Sequence, residues 1–310
     1  MKPKIGIAGA GNVGATAAHI CLMKNLGDIY LLDIDADMAK GKALDMSQSK
    51  FLFNSDIKIS GGSDYRQLCE SDYIIITAGL ARKPGMSRDD LLIKNFEIMK
   101  GICTEIKNSG KDPFIIVVSN PLDIMTLTAF RITGFPENKV MGMAGVLDTY
   151  RLLNNIQEIR GAASENISSM ILGGHGDTMV PLKTKTTINN SNVSDTLSQE
   201  EWGSVSDRAA KGGAEIVSLL KTGSAYYAPA ASTVKMLDAI INDTGALLPC
   251  CVNAGGKYGI NDIFIGLPVI LDKTGVREIV EFELSPDEKE SLIKSAQSIK
   301  EQAALIMDKF

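Results

Sequence analysis

Lys4-Ile5-Gly6-Ile7-Ala8-Gly9-Ala10-Gly11-Asn12-Val13-Gly14 begins as a short apolar run and breaks into glycines at the spacing G-x-G-x-x-G. A bare match to that spacing says little. Its setting says more, because a strand-like run precedes it and Ala15 to Asn25, rich in Ala, Leu and Met, follows as a helix. In such a unit the glycines let backbone amides and the helix N-terminus meet a pyrophosphate. A second apolar run, Ile29-Tyr30-Leu31-Leu32, ends at Asp33, nineteen residues beyond Gly14, where a carboxylate can accept hydrogen bonds from a ribose diol. That carboxylate repels a 2′-phosphate, and Ile34-Asp35 offers no Arg to receive one. The pattern therefore predicts NAD rather than NADP, held at Gly9, Ala10, Gly11, Asn12, Val13, Gly14 and Asp33.

The alternation of strand and helix continues outward from this unit. Asp37 to Phe53 reads as helix, Ile57-Lys58-Ile59 as a short strand, and Tyr73-Ile74-Ile75-Ile76 as a core strand ending in Thr77-Ala78-Gly79. From about Ser87 to Asn108, Leu91, Leu92, Asn95, Phe96, Met99 and Ile102 recur near helical spacing. Phe114 to Val118 is a continuous apolar run, as a parallel strand covered on both faces requires, and it ends in Ser119-Asn120-Pro121. Lys139 to Gly142 closes the series. The expectation is an α/β fold: a Rossmann-type doubly wound parallel sheet over residues 1–145 and an α+β substrate domain over 146–310. Gly9, Asp33, Gly79 and Asn120 all follow strand ends and should share one rim.

In the second half, a helix runs to about Gly161, Ile167 to Leu172 is strand-like, and Met179 to Thr187 alternates as an antiparallel strand might. Helices are expected over Glu200 to Lys221 and Ala225 to Asn242, and strands over Leu247 to Asn253 and Ile263 to Leu271. A closing amphipathic helix spans Ser285 to Phe310, started by the N-cap pattern Ser285-Pro286-Asp287-Glu288.

Composition narrows the possibilities. The 310 residues are 45% hydrophobic and 22% charged, ordinary for a globular protein. A net charge of -5 argues against nucleic acid as a partner. The five cysteines show no metal-ligand spacing, so no metal is expected and the thiols read as reduced, which places the chain in the cytoplasm. No signal peptide precedes the first strand, and no apolar run approaches the ~18 residues of a membrane span.

The chain has two histidines, and histidine is the side chain suited to exchange protons near neutral pH. His19 falls on the first helix, at neither the glycine turn nor a strand end, and reads as a packing or surface residue. His175 sits in Gly173-Gly174-His175-Gly176-Asp177, directly after a strand-like run. Asp148 and Arg151, three apart on a helix, share a face. They supply an acid to orient an imidazole and an Arg to hold a carboxylate. The Gly/Pro-punctuated loop between Gly79 and Asp90 carries Arg82, Lys83 and Arg88, and reads as a lid that would bring cations onto an anionic substrate.

Six stretches now stand in order: Gly9–Gly14, Asp33, Arg82-Lys83-Pro84-Gly85-x-Ser87-Arg88, Ser119-Asn120-Pro121, Leu147-Asp148-Thr149-x-Arg151 and Gly173-Gly174-His175-Gly176-Asp177. Together they resemble the lactate/malate dehydrogenase superfamily, in its lactate-dehydrogenase-like malate dehydrogenase branch, from the first strand to the end of the chain. Tyr150 departs from the small residue expected between Thr149 and Arg151. The resemblance implies hydride transfer between NAD and a 2-hydroxy acid. His175 would exchange the proton, Asp148 would orient it, Arg88 would polarise the carbonyl, and Arg151 would clamp the neighbouring carboxylate. Asn120 would touch substrate and cofactor, while Val118 and Asn95 would contact the cofactor. The resemblance also implies a homodimer or homotetramer.

Substrate choice is expected to rest on Arg82, a lid position that the family usually fills with Gln in lactate enzymes and Arg in malate enzymes. A second substrate carboxylate without a cation would be stranded in a closed site, at roughly 2–5 kcal/mol. That is on the order of 30- to several-thousand-fold in discrimination. Met86, and Ala225 as a small residue beside the pocket, point the same way, to malate and oxaloacetate. The alternatives are a lactate or broad 2-hydroxyacid dehydrogenase, and an NAD-binding regulator without catalysis.

Overall fold

The computed structural model describes residues 2–80 and 87–310. Arg82 and Met86, with the expectations placed on them, lie outside the described residues.

The chain opens with β1 (Lys4–Ala8), whose last four residues are buried, and turns through the glycines into α1 (Asn12–Met23). β2 (Asp28–Leu32) leads to α2 (Ala36–Ser49), which starts where the Asp35 carboxylate accepts the Met38 N–H. β3 (Ile59–Gly62), α3 (Tyr65–Cys69), β4 (Tyr73–Ile76), α4 (Arg88–Asn108), β5 (Phe114–Val117), α5 (Leu122–Thr133) and β6 (Val140–Gly142) complete the first half. The strands run parallel in the order β3-β2-β1-β4-β5-β6. Strand order reverses beside β1, the switch point at which open α/β sheets bind ligands.

The second half contains α6 (Gly145–Arg160), β7 (Ile167–Ser168), β8 (Ile171–Gly173), β9 (Met179–Pro181), β10 (Thr187–Ile188), β11 (Ser191–Asn192), α7 (Val193–Thr196), α8 (Gln199–Leu220) and α9 (Tyr227–Ile241). β12 (Ala246–Asn253), β13 (Phe264–Asp272), β14 (Gly275–Ile279) and α10 (Pro286–Ala304) follow. β12 joins β6 antiparallel where Cys251 faces Gly142, so one eleven-stranded sheet runs through both halves and ends in β12-β13-β8-β9, with β14 on β13. β7, β10 and β11 form a separate small sheet. One large core packs about the main sheet, and a second, around Leu152, Ile156 and Trp202, fills the space between α6 and α8.

The architecture is the expected one, with local corrections. The run Ile167 to Leu172 is two strands rather than one: β7 pairs with β10, whereas β8 pairs with β9 and β13. Met179 to Thr187 likewise divides, interrupted by a 3-10 turn at Lys183–Lys185. The third strand starts at Ile59, two residues late, because the Asp28 side chain takes the Lys58 N–H that a ladder would use. α5 and β14 carry no sequence expectation. The closing helix ends at Ala304, before a short turn at Met307–Lys309, and its N-cap is a capping box between Ser285 and Glu288.

The glycine turn is fixed by close approach. A Cβ on Gly14 would overlap the Gly9 carbonyl oxygen, a backbone atom that no rotamer change can move. Gly14→Ala is expected to destabilise the fold by about 1–3 kcal/mol, the usual range for overpacking. Gly41→Ala is the control, since a Cβ there meets nothing within 4 Å. It should instead stabilise α2 by roughly 0.5–1 kcal/mol. Urea denaturation of the two variants checks both signs, and equal midpoints would mean that the turn opens freely.

Candidate active site

At the switch point a cleft of about 430 Å³ is lined by Gly9, Gly11, Asp33, Thr77, Gly79 and Ile98. Asp33 Oδ2 accepts the Ala10 N–H at 2.7 Å and Oδ1 accepts the Asp35 N–H at 3.1 Å, while Lys42 Nζ donates to the Ala10 carbonyl at 2.7 Å. The Ala10 peptide is thus clamped at both ends. A Cβ on Gly11 would meet no protein atom within 4 Å, so the space it leaves is open to a ligand. Gly11 is also the N-cap of α1, with no side chain to bond the amides of Val13 and Gly14, and no acid stands in the first turn. An uncapped helix end facing a cleft suits an anion. These residues fit a dinucleotide.

Val118 is buried at the end of β5, with its N–H bonded to the Ile76 carbonyl at 2.9 Å. Asn95 makes the loop contacts beside this cleft. Its Oδ1 accepts the Leu80 N–H at 2.8 Å, and its Nδ2 donates to the carbonyls of Leu80 at 3.2 Å and Asn120 at 2.7 Å. Both amide hydrogens are occupied and the side chain is buried. Asn95 therefore ties the loop after β4 to the loop after β5.

The second cluster forms where β8 ends. Gly173 has φ +85, and a Cβ there would crowd Ser295 Oγ at 2.9 Å, so glycine is needed for the turn into His175. The Gly174 N–H is held by Ser295 Oγ of α10 at 2.8 Å, and the His175 N–H by Asp123 Oδ2 of α5 at 3.1 Å. His175 Nδ1 lies 2.8 Å from Asp148 Oδ2, on α6. With Nδ1 engaged by a carboxylate, the neutral ring keeps its proton there and leaves Nε2 free to accept or give one. α6 is itself set by Thr149, whose hydroxyl accepts the Ile171 N–H at 3.1 Å.

Burial pushes the His175 pKa down, but the charge of Asp148, its hydrogen bond and the charge of Asp123 outweigh burial and the repulsion from Arg151, and the net direction is up. His175, Asn120 and Arg88 line one cavity of about 430 Å³. Asn120 is exposed there, at a cis peptide with Pro121. Arg88, the first residue of α4, reaches Asp177 Oδ2 at 3.5 Å with its side chain 81% exposed, a contact of little strength. Arg151 is not in that cavity. It flanks Asp148 at 3.5 Å and faces a neighbouring hollow between α6 and α8, lying over Gly212. Its Nε is buried without a partner among the described residues, and burial lowers its pKa against the opposing pull of Asp148. Ala225 does not line the His175 cavity. His19 packs edge-on against Phe53, as expected of a non-catalytic histidine.

Sequence reasoning missed Asp123, Ser295 and Cys251. The one available signal was an acid within the otherwise apolar Leu122-Asp123-Ile124-Met125.

Residues 3–142 match the family described as lactate/malate dehydrogenase, NAD binding domain, and residues 145–309 match lactate/malate dehydrogenase, alpha/beta C-terminal domain. A malate dehydrogenase of Rhodopirellula baltica is 46% identical over 301 residues, covering 96% of each chain. The crystal structure of Cryptosporidium parvum malate dehydrogenase superposes with a TM-score of 0.95 at 40% identity, covering 98% of each chain. The lactate dehydrogenase of the same organism, complexed with lactic acid and nicotinamide adenine dinucleotide, superposes at 0.95 with 34% identity, covering 99% of this chain and 98% of that one.

A raised His175 pKa has a definite signature. In His19→Gln, which leaves a single imidazole, NMR titration should place the midpoint above the usual value of about 6.5, and adding Asp148→Asn should lower it. Because the folded value exceeds the unfolded one, protonated His175 favours folding below pH about 6.5, and that contribution is lost as pH rises through the folded value. A midpoint at or below the usual value would contradict the geometry.

Proposed function

The chain belongs to the lactate/malate dehydrogenase family, and from that premise we infer that it is an NAD-dependent malate dehydrogenase interconverting malate and oxaloacetate. The observation that carries the chemistry is the 2.8 Å contact of His175 with buried Asp148, beside a cavity that Arg88 and Asn120 also line.

When bound, NAD supplies the hydride acceptor for malate oxidation and, reduced, the donor for the reverse reaction. The chain's own residues manage the proton and the charges. In oxidation His175 Nε2 takes the hydroxyl proton of malate; in reduction it returns that proton to the carbonyl oxygen of oxaloacetate. Asp148 holds the ring by Nδ1 and stabilises the imidazolium that forms. Arg88, held among the described residues by its weak contact with Asp177, would turn onto the carbonyl oxygen as negative charge develops there. Arg151, which flanks Asp148 at 3.5 Å outside the His175 cavity, would have to turn its guanidinium toward that cavity to hold the carboxylate next to the reacting carbon, the role the family resemblance implies for it. Arg82 would receive the second carboxylate; that assignment rests on sequence alone. Gly9 to Gly14 and Asp33 would hold the dinucleotide, Asn120 lies at the mouth of the cavity, and Val118 and Asn95 are the further cofactor contacts that the family resemblance implies. Residues 1–145 thus supply the cofactor cleft, and 146–310 the proton carrier and its acid.

A second copy of the chain is the partner we propose for Leu44, Phe51 and Leu52 at the end of α2, which are 61%, 79% and 82% exposed. No described helix is long and apolar enough to cross a membrane, and the five cysteines are buried and unpaired, as a reducing cytoplasm keeps them.

His175→Asn should lower kcat by about 10²–10⁴-fold, the usual contribution of a general acid–base, and leave NADH affinity unchanged. Retained turnover would place the proton carrier elsewhere. Arg82→Gln should move the ratio of kcat/KM from oxaloacetate toward pyruvate by on the order of 30-fold or more. An unchanged ratio would favour a lactate or broad 2-hydroxyacid dehydrogenase set by other residues.

A further inference from the structure

A second carboxylate stands behind His175 that none of these steps uses. Asp123, near the start of α5, is 8% exposed. Its Oδ2 accepts the His175 N–H at 3.1 Å, and its Oδ1 is buried with no hydrogen-bond partner among the described residues. The Cys251 thiol of β12 is the polar neighbour on the other side, and a thiol is a weak donor. Several charged or titratable groups face this pair: Asp148 and Arg151 from α6, Cys251 from β12, and Arg88 and Asp177 at the mouth of the cavity. Arg151 approaches Asp148, and Arg88 approaches Asp177. The compensating charge within reach of Asp123 is a protonated His175.

We propose that Asp123 is a positioning residue of the proton exchange: it fixes the main chain of His175 and, as a carboxylate, joins Asp148 in favouring the imidazolium. The inference rests on His175 being the proton carrier. A carboxylate left half-satisfied in a buried place is costly unless something offsets it. Burial, helped by the charge of Asp148, holds the Asp123 pKa above the usual carboxylate range; the His175 N–H, the Cys251 thiol and the His175 charge oppose that rise, so a protonated His175 is what favours the Asp123 carboxylate. A pure anchor for the loop needs only an acceptor oxygen, which an amide would also supply. The charge is what the anchor alone does not explain. The peptide bond is also placed to matter: Asp123 follows Asn120 by three residues, so the same helix start sets both the mouth of the cavity and the height of the imidazole within it.

Asp123→Asn keeps an acceptor for the His175 N–H and removes the charge. In the ligand-free protein carrying His19→Gln, the His175 NMR midpoint should fall. In steady-state assays the alkaline limb of oxaloacetate reduction and the acidic limb of malate oxidation should both move to lower pH. The result is a several-fold loss of kcat/KM for reduction at the alkaline end, with NADH affinity unchanged. An unmoved midpoint and unmoved limbs would reduce Asp123 to a loop anchor, or to a neutral acid, and overturn the inference. If Asp123→Asn does not fold, ¹³C-carboxyl NMR of the wild-type protein carries the test. The Asp123 carboxyl shift should then step at the His175 midpoint and lose that step in His175→Asn; a carboxyl blind to His175 overturns the inference. If His175→Asn keeps its activity, the reading of His175 as proton carrier fails and this inference falls with it. Activity lost in His175→Asn, with limbs indifferent to Asp123→Asn, sinks this inference alone.

Discussion

The site depends on one contact, the 2.8 Å approach of Asp148 to His175 Nδ1. Neither residue is placed by its own element alone. Asp148 is on α6, and α6 is registered against β8 by the Thr149–Ile171 bond. His175 leaves β8 through a glycine at positive φ, and its flanking peptides are pinned by Ser295 of α10 and Asp123 of α5. Three helices and a strand therefore converge on one imidazole. Side-chain placement to a few tenths of an ångström is what acid–base chemistry requires, and a loop without these ties would not hold it.

That convergence puts charge where water is scarce. Asp148 is 2% exposed and Asp123 8%, and an isolated buried carboxylate is strongly disfavoured. The cations that offset them are few and imperfectly engaged. Among the described residues, Arg151 stands 3.5 Å from Asp148 with its Nε unpartnered, and Arg88 reaches only the exposed Asp177. Cations held this loosely are poor stabilisers of a resting fold, but they are well suited to an anionic ligand, because binding a carboxylate then breaks no strong bond.

Much of this was legible in the sequence. The glycine spacing with Asp33 nineteen residues later gives the switch point, and continuous β-branched runs give the parallel strands, because both are local patterns. Asp148, Arg151 and His175 could be singled out by residue type and by helical spacing. What stayed hidden is non-local. α5 is buried on nearly every side, with Arg131 its one exposed residue, so it shows no polar face to mark it. Ile167 to Leu172 looks like one strand because its two halves differ only in the strands they pair with. The hydrogen bonds by which Asn95 ties two loops together could not be read either, because those loops are distant in sequence. Asp123 looks like an ordinary acid at a helix start, and its meaning arises from a partner 52 residues away.

The continuous sheet determines which parts are free to respond to substrate. β12 extends the parallel sheet at β6, so the cofactor cleft and the His175 turn are built on one hydrogen-bonded frame rather than on two bodies joined by a linker. Gly142 permits this join: a Cβ there would overlap Thr126 Oγ1 and crowd Cys251 at 3.0 Å. His175 is therefore held at a fixed height beside the cleft, and charge complementarity has to come from side chains that reach in from the edge. Arg88 is such a side chain. The Ser87–Asp90 capping box sets where α4 begins, so the first residue of the helix is anchored in its backbone while its guanidinium stays exposed. Arg88 thus lines the cavity beside His175 from an anchored backbone, with its guanidinium held by a weak contact that an anionic ligand can displace.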